Sequence, residues 1–305
     1  MFGFIIDFVM RRIVKQIAAA QRSPILRRPD EYGMAYEDIS FPSTDGINLE
    51  GWYMPATSPS NKIVICNHFS PGNRYGYAGH LPGRRQAGGF EVNFLPKYKA
   101  LVEAGYNVLA YDLRNHGFSA PAQSGGYNPQ FFEFKDVLGS LAYVRSREDT
   151  KDMEIHLHSM CLGGNSTLVA MHKHPEAFAA VASMMLIQPI SGDALVRKLT
   201  DNLWMGKRGY EAFQRFYLEL WGFRIEDSSP IVDAAAVRVP TLVAQVRKDR
   251  FTYAEEDVQA VFDAIPVGDK KLHWIEGTTE RFRGYTYFSE HPEPMLAWYD
   301  AHSAA

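Results

Sequence analysis

Hydrophobic and polar positions change period repeatedly along the chain. Tyr36–Phe41 and Ile47–Tyr53 alternate apolar with polar, which predicts two strands, and Thr44-Asp45-Gly46 between them predicts a hairpin turn. Lys62–Asn67 (KIVICN), Asn107–Tyr111, Met153–His158, Ala179–Ile187, Val239–Gln245 and Lys271–Ile275 are short apolar or mixed runs that read as further strands. Helical periodicity fills the intervals: Leu95–Ala104 (closed by Gly105), Phe131–Arg145, Cys161–Lys173, Ala254–Ala264 and Glu293–His302. Asp193–Phe223 reads as one helical stretch dense in aromatics, and His68 to Asn93 as a long loop rich in Gly, Pro, Tyr and Arg.

Antiparallel strands first, then strand and helix in alternation, predict an α/β fold: a mostly parallel eight-stranded sheet covered by helices on both faces. Active crevices in such sheets lie beyond the carboxyl ends of the strands. The loops after Asn67, Tyr111, His158, Ile187, Val246 and Ile275 are therefore the ones expected to carry chemistry. The expected organisation is an N-terminal amphipathic helix and linker over 1–30, a core over 31–190 and 228–305, and a helical lid or cap over 191–227 that roofs the crevice.

Composition narrows the function classes. At 46% hydrophobic and 22% charged residues over 305 positions, with a net charge of -3, the chain reads as an ordinary globular protein. Lys and Arg are scattered, so nucleic acid is not an expected partner. The 2 cysteines, Cys66 and Cys161, argue against a disulfide scaffold and for a reducing, cytoplasmic setting. The first twenty residues are apolar before they are charged (Asp7, Arg11, Arg12, Lys15), the reverse of a secretory signal. They read as an amphipathic helix that packs on its own domain or on a second copy as a homodimer, without stable membrane insertion. No metal-ligand spacing and no phosphate loop occurs, so no cofactor and no metal is expected.

The candidate chemistry sits at Met153–Ala170. A strand gives way within two or three residues to a helix opening at Cys161, with Ser159 two positions before it and Gly163 and Gly164 two and three after. That is the spacing of a nucleophile elbow, which needs small residues on either side of the nucleophile because the turn is so tight. Centring the turn on Ser159 instead would leave both glycines without a role. The helix end turns free N–H groups and the positive end of its dipole toward the sulfur, which favours a thiolate and offers the N–H of Leu162 to an oxyanion.

The chain resembles the α/β-hydrolase superfamily over roughly 35–303. The resemblance rests on the elbow, the Asp112-x-Arg114-x-His116-Gly117-x-Ser119 turn, and Val239-Pro240-Thr241-Leu242 leading to Asp249. Cys161-Leu162-Gly163-Gly164 is similar to the elbow of dienelactone hydrolases, a branch that uses cysteine. The resemblance implies Cys161 as nucleophile, Asp249 as the acid of the triad, and an oxyanion hole made by Leu162 with a second N–H from Phe69 or Ser70. It also implies a small-molecule acyl or carbonyl substrate: an apolar ester, lactone or thioester, hydrolysed or transferred.

The base position departs from the pattern. Where relatives carry His, this chain has Glu280, in Glu276-Gly277-Thr278-Thr279-Glu280-Arg281-Phe282. A thiol near pKa 8.5 and a carboxylate near 4.3 are mismatched by about four units, or ~5–6 kcal/mol for moving the proton. The expectation is therefore a Cys-Glu-Asp site in which burial and Asp249 raise the Glu280 pKa. Such a site also suits non-hydrolytic C–C bond making, breaking or cyclisation, and a catalytically silent ligand-binding protein is the reading from another class. His68, His116 and His158 are the imidazoles available as substitutes, and a Cys66–Cys161 bridge is within the reach of neighbouring strands.

Overall fold

The computed structural model describes residues 2–18, 22–83, 89–122 and 132–304. The elements follow one another as α1 (Phe2–Ala18), β1 (Glu37–Pro42), β2 (Asn48–Met54), β3 (Lys62–Asn67), β4 (Gly76–Tyr77), β5 (Val92–Asn93), α2 (Leu95–Glu103) and β6 (Asn107–Tyr111). Then come α3 (Phe134–Ser146), β7 (Glu154–Met160), α4 (Leu162–Lys173), β8 (Val181–Ile187), α5 (Gly192–Asn202), α6 (Gly206–Trp221) and α7 (Ile231–Ala234). β9 (Thr241–Val246), α8 (Ala254–Ala264), β10 (Lys270–Ile275), α9 (Arg281–Glu290) and α10 (Glu293–Ala301) complete the chain.

Eight strands form one sheet in the order β1-β2-β6-β3-β7-β8-β9-β10, while β4 and β5 pair separately. β1 and β2 are antiparallel, β2 meets β6 antiparallel, and every later pair is parallel. The period of two along a strand sends alternate side chains to opposite faces. Ile63 and Ile65 of β3 join a core with α3, α4 and α8, through Val137, Leu141, Leu168 and Val258. Val64 and Cys66 face a second core with α2, α9 and α10, through Leu95, Phe282, Phe288 and Tyr299. The result is the α/β-hydrolase fold.

Two features differ from the sequence-based expectation, and a third, the packing of the N-terminal helix on its own domain, agrees with one of its alternatives. The 193–223 stretch is two helices broken at Leu203–Met205, where Trp204 takes a φ of 57°. The amphipathic stripe of α1 (Ile6, Met10, Val14) is buried within this chain against Val196, Ala212, Phe213 and Tyr217 of α5 and α6, leaving Phe4 and Phe8 exposed. The segment after β10, expected as loop, becomes α9 almost at once. The predicted helix start at Phe131 and the ends of the first segment (residues 1, 19 and 20) lie outside the described residues. Among the described residues no helix is long and apolar enough to cross a membrane.

Candidate active site

β7 lies between β3 and β8 at the middle of the parallel region, and the chain turns at its carboxyl end into α4. Cys161 makes that turn at φ 46° and ψ −108°, a conformation that costs a non-glycine residue about 1–3 kcal/mol. The surroundings hold it there. The Cys161 N–H donates to Ile187 O at 2.9 Å, and its carbonyl accepts from Asn165 N at 2.7 Å. A Cβ on Gly163 would sit 2.6 Å from the backbone of Asn67, so glycine is required where α4 crosses the end of β3. Ser159 is buried and bonds Asn67 Nδ2 and Thr167 Oγ1, both at 2.9 Å, which locks the base of the elbow.

Cys161 is half-buried and packs against the aromatic-rich core that includes Phe69, Phe282 and Tyr285. Leu162 is the first residue of α4, so its N–H has no carbonyl within the helix to bond. The Phe69 carbonyl accepts the Gly72 N–H at 2.9 Å, and the Phe69 ring stacks on Tyr285 with centroids 4.0 Å apart. The Ser70 hydroxyl lies 3.1 Å from His116 Nε2.

Asp249 follows β9 and is buried. Its Oδ2 accepts from Arg281 Nη1 at 2.6 Å and from Gln245 Nε2 at 3.0 Å, and its Oδ1 accepts from Phe251 N at 2.8 Å. Arg281 is itself 3% exposed. Its Nε donates to the Tyr285 hydroxyl at 3.0 Å, and its Nη2 donates to the carbonyl of Gln188. The Tyr285 phenol lies beside the Cys161 thiol, and burial, reinforced by that neighbour, holds it well above its ordinary value of 10. The positive charge of Arg281 also acts on Cys161. A chain of contacts therefore runs from the thiol through Tyr285 and Arg281 to Asp249.

Glu280 is not part of that chain. It occupies the cap position of α9, and its carboxylate pairs with Arg250 at the partly exposed rim. The physical reason is charge. A second carboxylate beside buried Asp249 would face like-charge repulsion, whereas a guanidinium neutralises it. The inward-facing residue is thus the next one along, Arg281. Its signal in the sequence is the spacing Arg281, Phe282, Tyr285, Phe288, a helical face on which one cation stands among aromatics.

The three substitute imidazoles are committed elsewhere. His68 Nε2 accepts from Leu113 N at 2.9 Å, which leaves Nδ1 to donate to Phe69 O at 2.8 Å, and burial pushes its pKa down to about 4. His116 is likewise pushed down to about 3 by burial, with Nδ1 on Arg114 O at 2.8 Å. His158 lies under the sheet between Lys97 Nζ, 3.0 Å away, and the Tyr299 hydroxyl, 3.1 Å away. Cys66 and Cys161 are both free thiols, and burial pushes the Cys66 thiol up to about 12.

The Asp112–Ser119 turn is structural. Asp112 accepts from Arg74 N and Phe118 N, each at 2.8 Å, and Arg114 bridges Asp45 and Asp136. A cavity of about 430 Å³ lined by Phe134, Asn165, Lys173 and Asp233 touches none of Cys161, Asp249, Arg281 or Tyr285.

Comparison with known proteins agrees with this architecture. The family described as the alpha/beta hydrolase fold matches residues 92–210, a span that includes the elbow but ends before Asp249 and Arg281. An uncharacterized protein, YfhR, of Salmonella typhi is 30% identical over 139 residues, which take in 44% of this chain and 40% of that one. The corresponding Escherichia coli protein is 27% identical over 135 residues, again 40% of its own length. Among solved structures, an esterase of Pyrococcus furiosus is similar with a TM-score of 0.68 at 17% identity, covering 93% of this chain and 99% of its own. An acetyl xylan esterase from Paenibacillus gives 0.62 at 16%, covering 97% of this chain and 94% of its own. A dienelactone hydrolase from Anabaena variabilis gives 0.56 at 15%, covering 89% and 99%.

Proposed function

We propose that this chain is an acyl-processing enzyme of the hydrolase type, acting on an apolar ester, lactone or thioester through Cys161. The thiolate attacks the acyl carbon, and the N–H of Leu162, with that of Phe69 or Ser70, holds the developing oxyanion. Asp249 anchors Arg281, and Arg281 with Tyr285 sets the electrostatics of the sulfur. The observation that carries the reading is a partly exposed thiol on a strained elbow at the head of a helix, beside a Tyr285 phenol that the buried Arg281 holds. Esterases and a dienelactone hydrolase of the same fold support the ester or lactone class of substrate. Two free thiols suit the reducing, cytoplasmic setting we infer for it.

A second reading, a binding protein without turnover, draws on one feature: the carboxylate-bound residue is an arginine, which cannot take a proton. The test is the intact mass of the protein after incubation with p-nitrophenyl acetate or a small thioester. A single acyl adduct that disappears in Cys161→Ala and survives in Cys66→Ala supports the enzyme. An unmodified protein with both donors contradicts it.

A further inference from the structure

The proton inventory of the site restricts what it can process. Arg281 stays charged at every working pH. Asp249 is saturated by Arg281, Gln245 and the Phe251 N–H. Tyr285 carries a phenol that burial makes a weaker acid than tyrosine in water. His68 is locked by Leu113 N and Phe69 O, His116 holds Arg114 O, and His158 sits on Lys97 under the sheet. Glu280 is engaged by Arg250. All three imidazoles thus have both ring nitrogens on protein partners.

Resting on the thiol-nucleophile reading above, we propose that the site is selective for acyl donors whose leaving group departs as an anion, thioesters foremost. We propose further that it passes the acyl group to another thiolate rather than to water. In the first step the Cys161 thiolate supplies the electron pair of the new C–S bond. The oxyanion forms and collapses, and the donor's thiolate leaves with the electrons of the bond it held. No proton moves and nothing is oxidised. An alkyl ester run through the same step must expel an alkoxide, which needs a proton from a general acid worth typically 10²–10⁴ in rate. In the second step a thiolate acceptor attacks acyl-Cys161 and expels the Cys161 thiolate, again without a proton. Water has to lose one as it attacks, and the three imidazoles that could take it are engaged. The aromatic cluster of Phe69, Phe282 and Tyr285 suits an apolar acyl group.

The test is single-turnover acylation of the wild-type protein, followed by intact mass, with four acetyl donors: S-acetyl-N-acetylcysteamine, p-nitrophenyl acetate, phenyl acetate and ethyl acetate. The expected result is acylation by the first two, with ethyl acetate at least ~100-fold slower than phenyl acetate. The adduct is then expected to persist in buffer and to discharge at least ~10-fold faster when N-acetylcysteamine is added. Ethyl acetate within tenfold of phenyl acetate, or discharge into water as fast as into thiol, overturns the selectivity while leaving Cys161 as nucleophile. No adduct from any donor overturns the nucleophile assignment and this proposal with it.

Discussion

The Arg281 guanidinium meets the Asp249 carboxylate at 2.6 Å in a buried ion pair, with both side chains at or below 4% exposure. This pair joins the loop after β9 to the start of α9. It places a cation that cannot be deprotonated where the resemblance to α/β-hydrolases leads one to expect an ionisable base.

Breaking such a pair from one side strands a buried charge. Arg281→Met is expected to destabilise the protein by about 3–5 kcal/mol, since Asp249 remains buried and unpaired. The double variant Arg281→Met/Asp249→Leu removes both charges and is expected to recover most of that loss. Urea midpoints for the wild type and the two variants check this. A single variant within about 1 kcal/mol of wild type contradicts the pairing.

The elbow depends on a close backbone approach. Gly163→Ala brings a Cβ within 2.6 Å of the Asn67 backbone, whereas Gly268→Ala meets nothing within 4 Å. The first is expected to lower stability by more than about 1 kcal/mol and to slow acylation at Cys161, because α4 must shift away from β3. The second is expected to be nearly neutral. Thermal denaturation and the rate of adduct formation, measured on both, separate the two cases.

His68 predicts a pH dependence. Its pKa falls from about 6.5 unfolded to about 4 folded, because burial disfavours the imidazolium. Above pH 6.5 both states are neutral at this residue and it contributes no pH dependence. As pH falls from about 6.5 to about 4, the unfolded chain binds a proton that the folded chain refuses, so stability is lost across that window. His68→Asn removes this contribution. The stability of wild type relative to the variant is therefore expected to fall between pH 7 and pH 5, measured as the difference in urea midpoints. A pH-independent difference contradicts the assignment of a neutral, buried imidazole.

Much of this molecule was legible in its residue pattern. The alternation in β1 and β2 and the apolar runs of β3, β6 and β8 follow directly from period and β-branching, so the sheet and its crevice were predictable. The small residues around Cys161 identified the elbow for a steric reason that the 2.6 Å approach at Gly163 bears out. The segment after β10 was harder. Gly284 and the aromatic-rich run Arg281–Phe288 have modest helix propensity, and α9 forms because Phe282, Tyr285 and Phe288 bury one face against the sheet. Which of two adjacent residues, Glu280 or Arg281, turns inward depends on the charge of Asp249 across a tertiary contact. No local pattern carries that information.

We propose that Arg281, and not Glu280, is the working partner of Cys161. The most direct measurement is the second-order rate of Cys161 acylation by p-nitrophenyl acetate in wild type, Glu280→Gln and Arg281→Met, with folding verified by circular dichroism. Glu280→Gln breaks a rim ion pair worth at most about 1 kcal/mol and is expected to react within twofold of wild type. Arg281→Met removes the cation that holds the Tyr285 phenol and is expected to lose at least ~100-fold. A large loss in Glu280→Gln, with Arg281→Met folded and unaffected, contradicts the account.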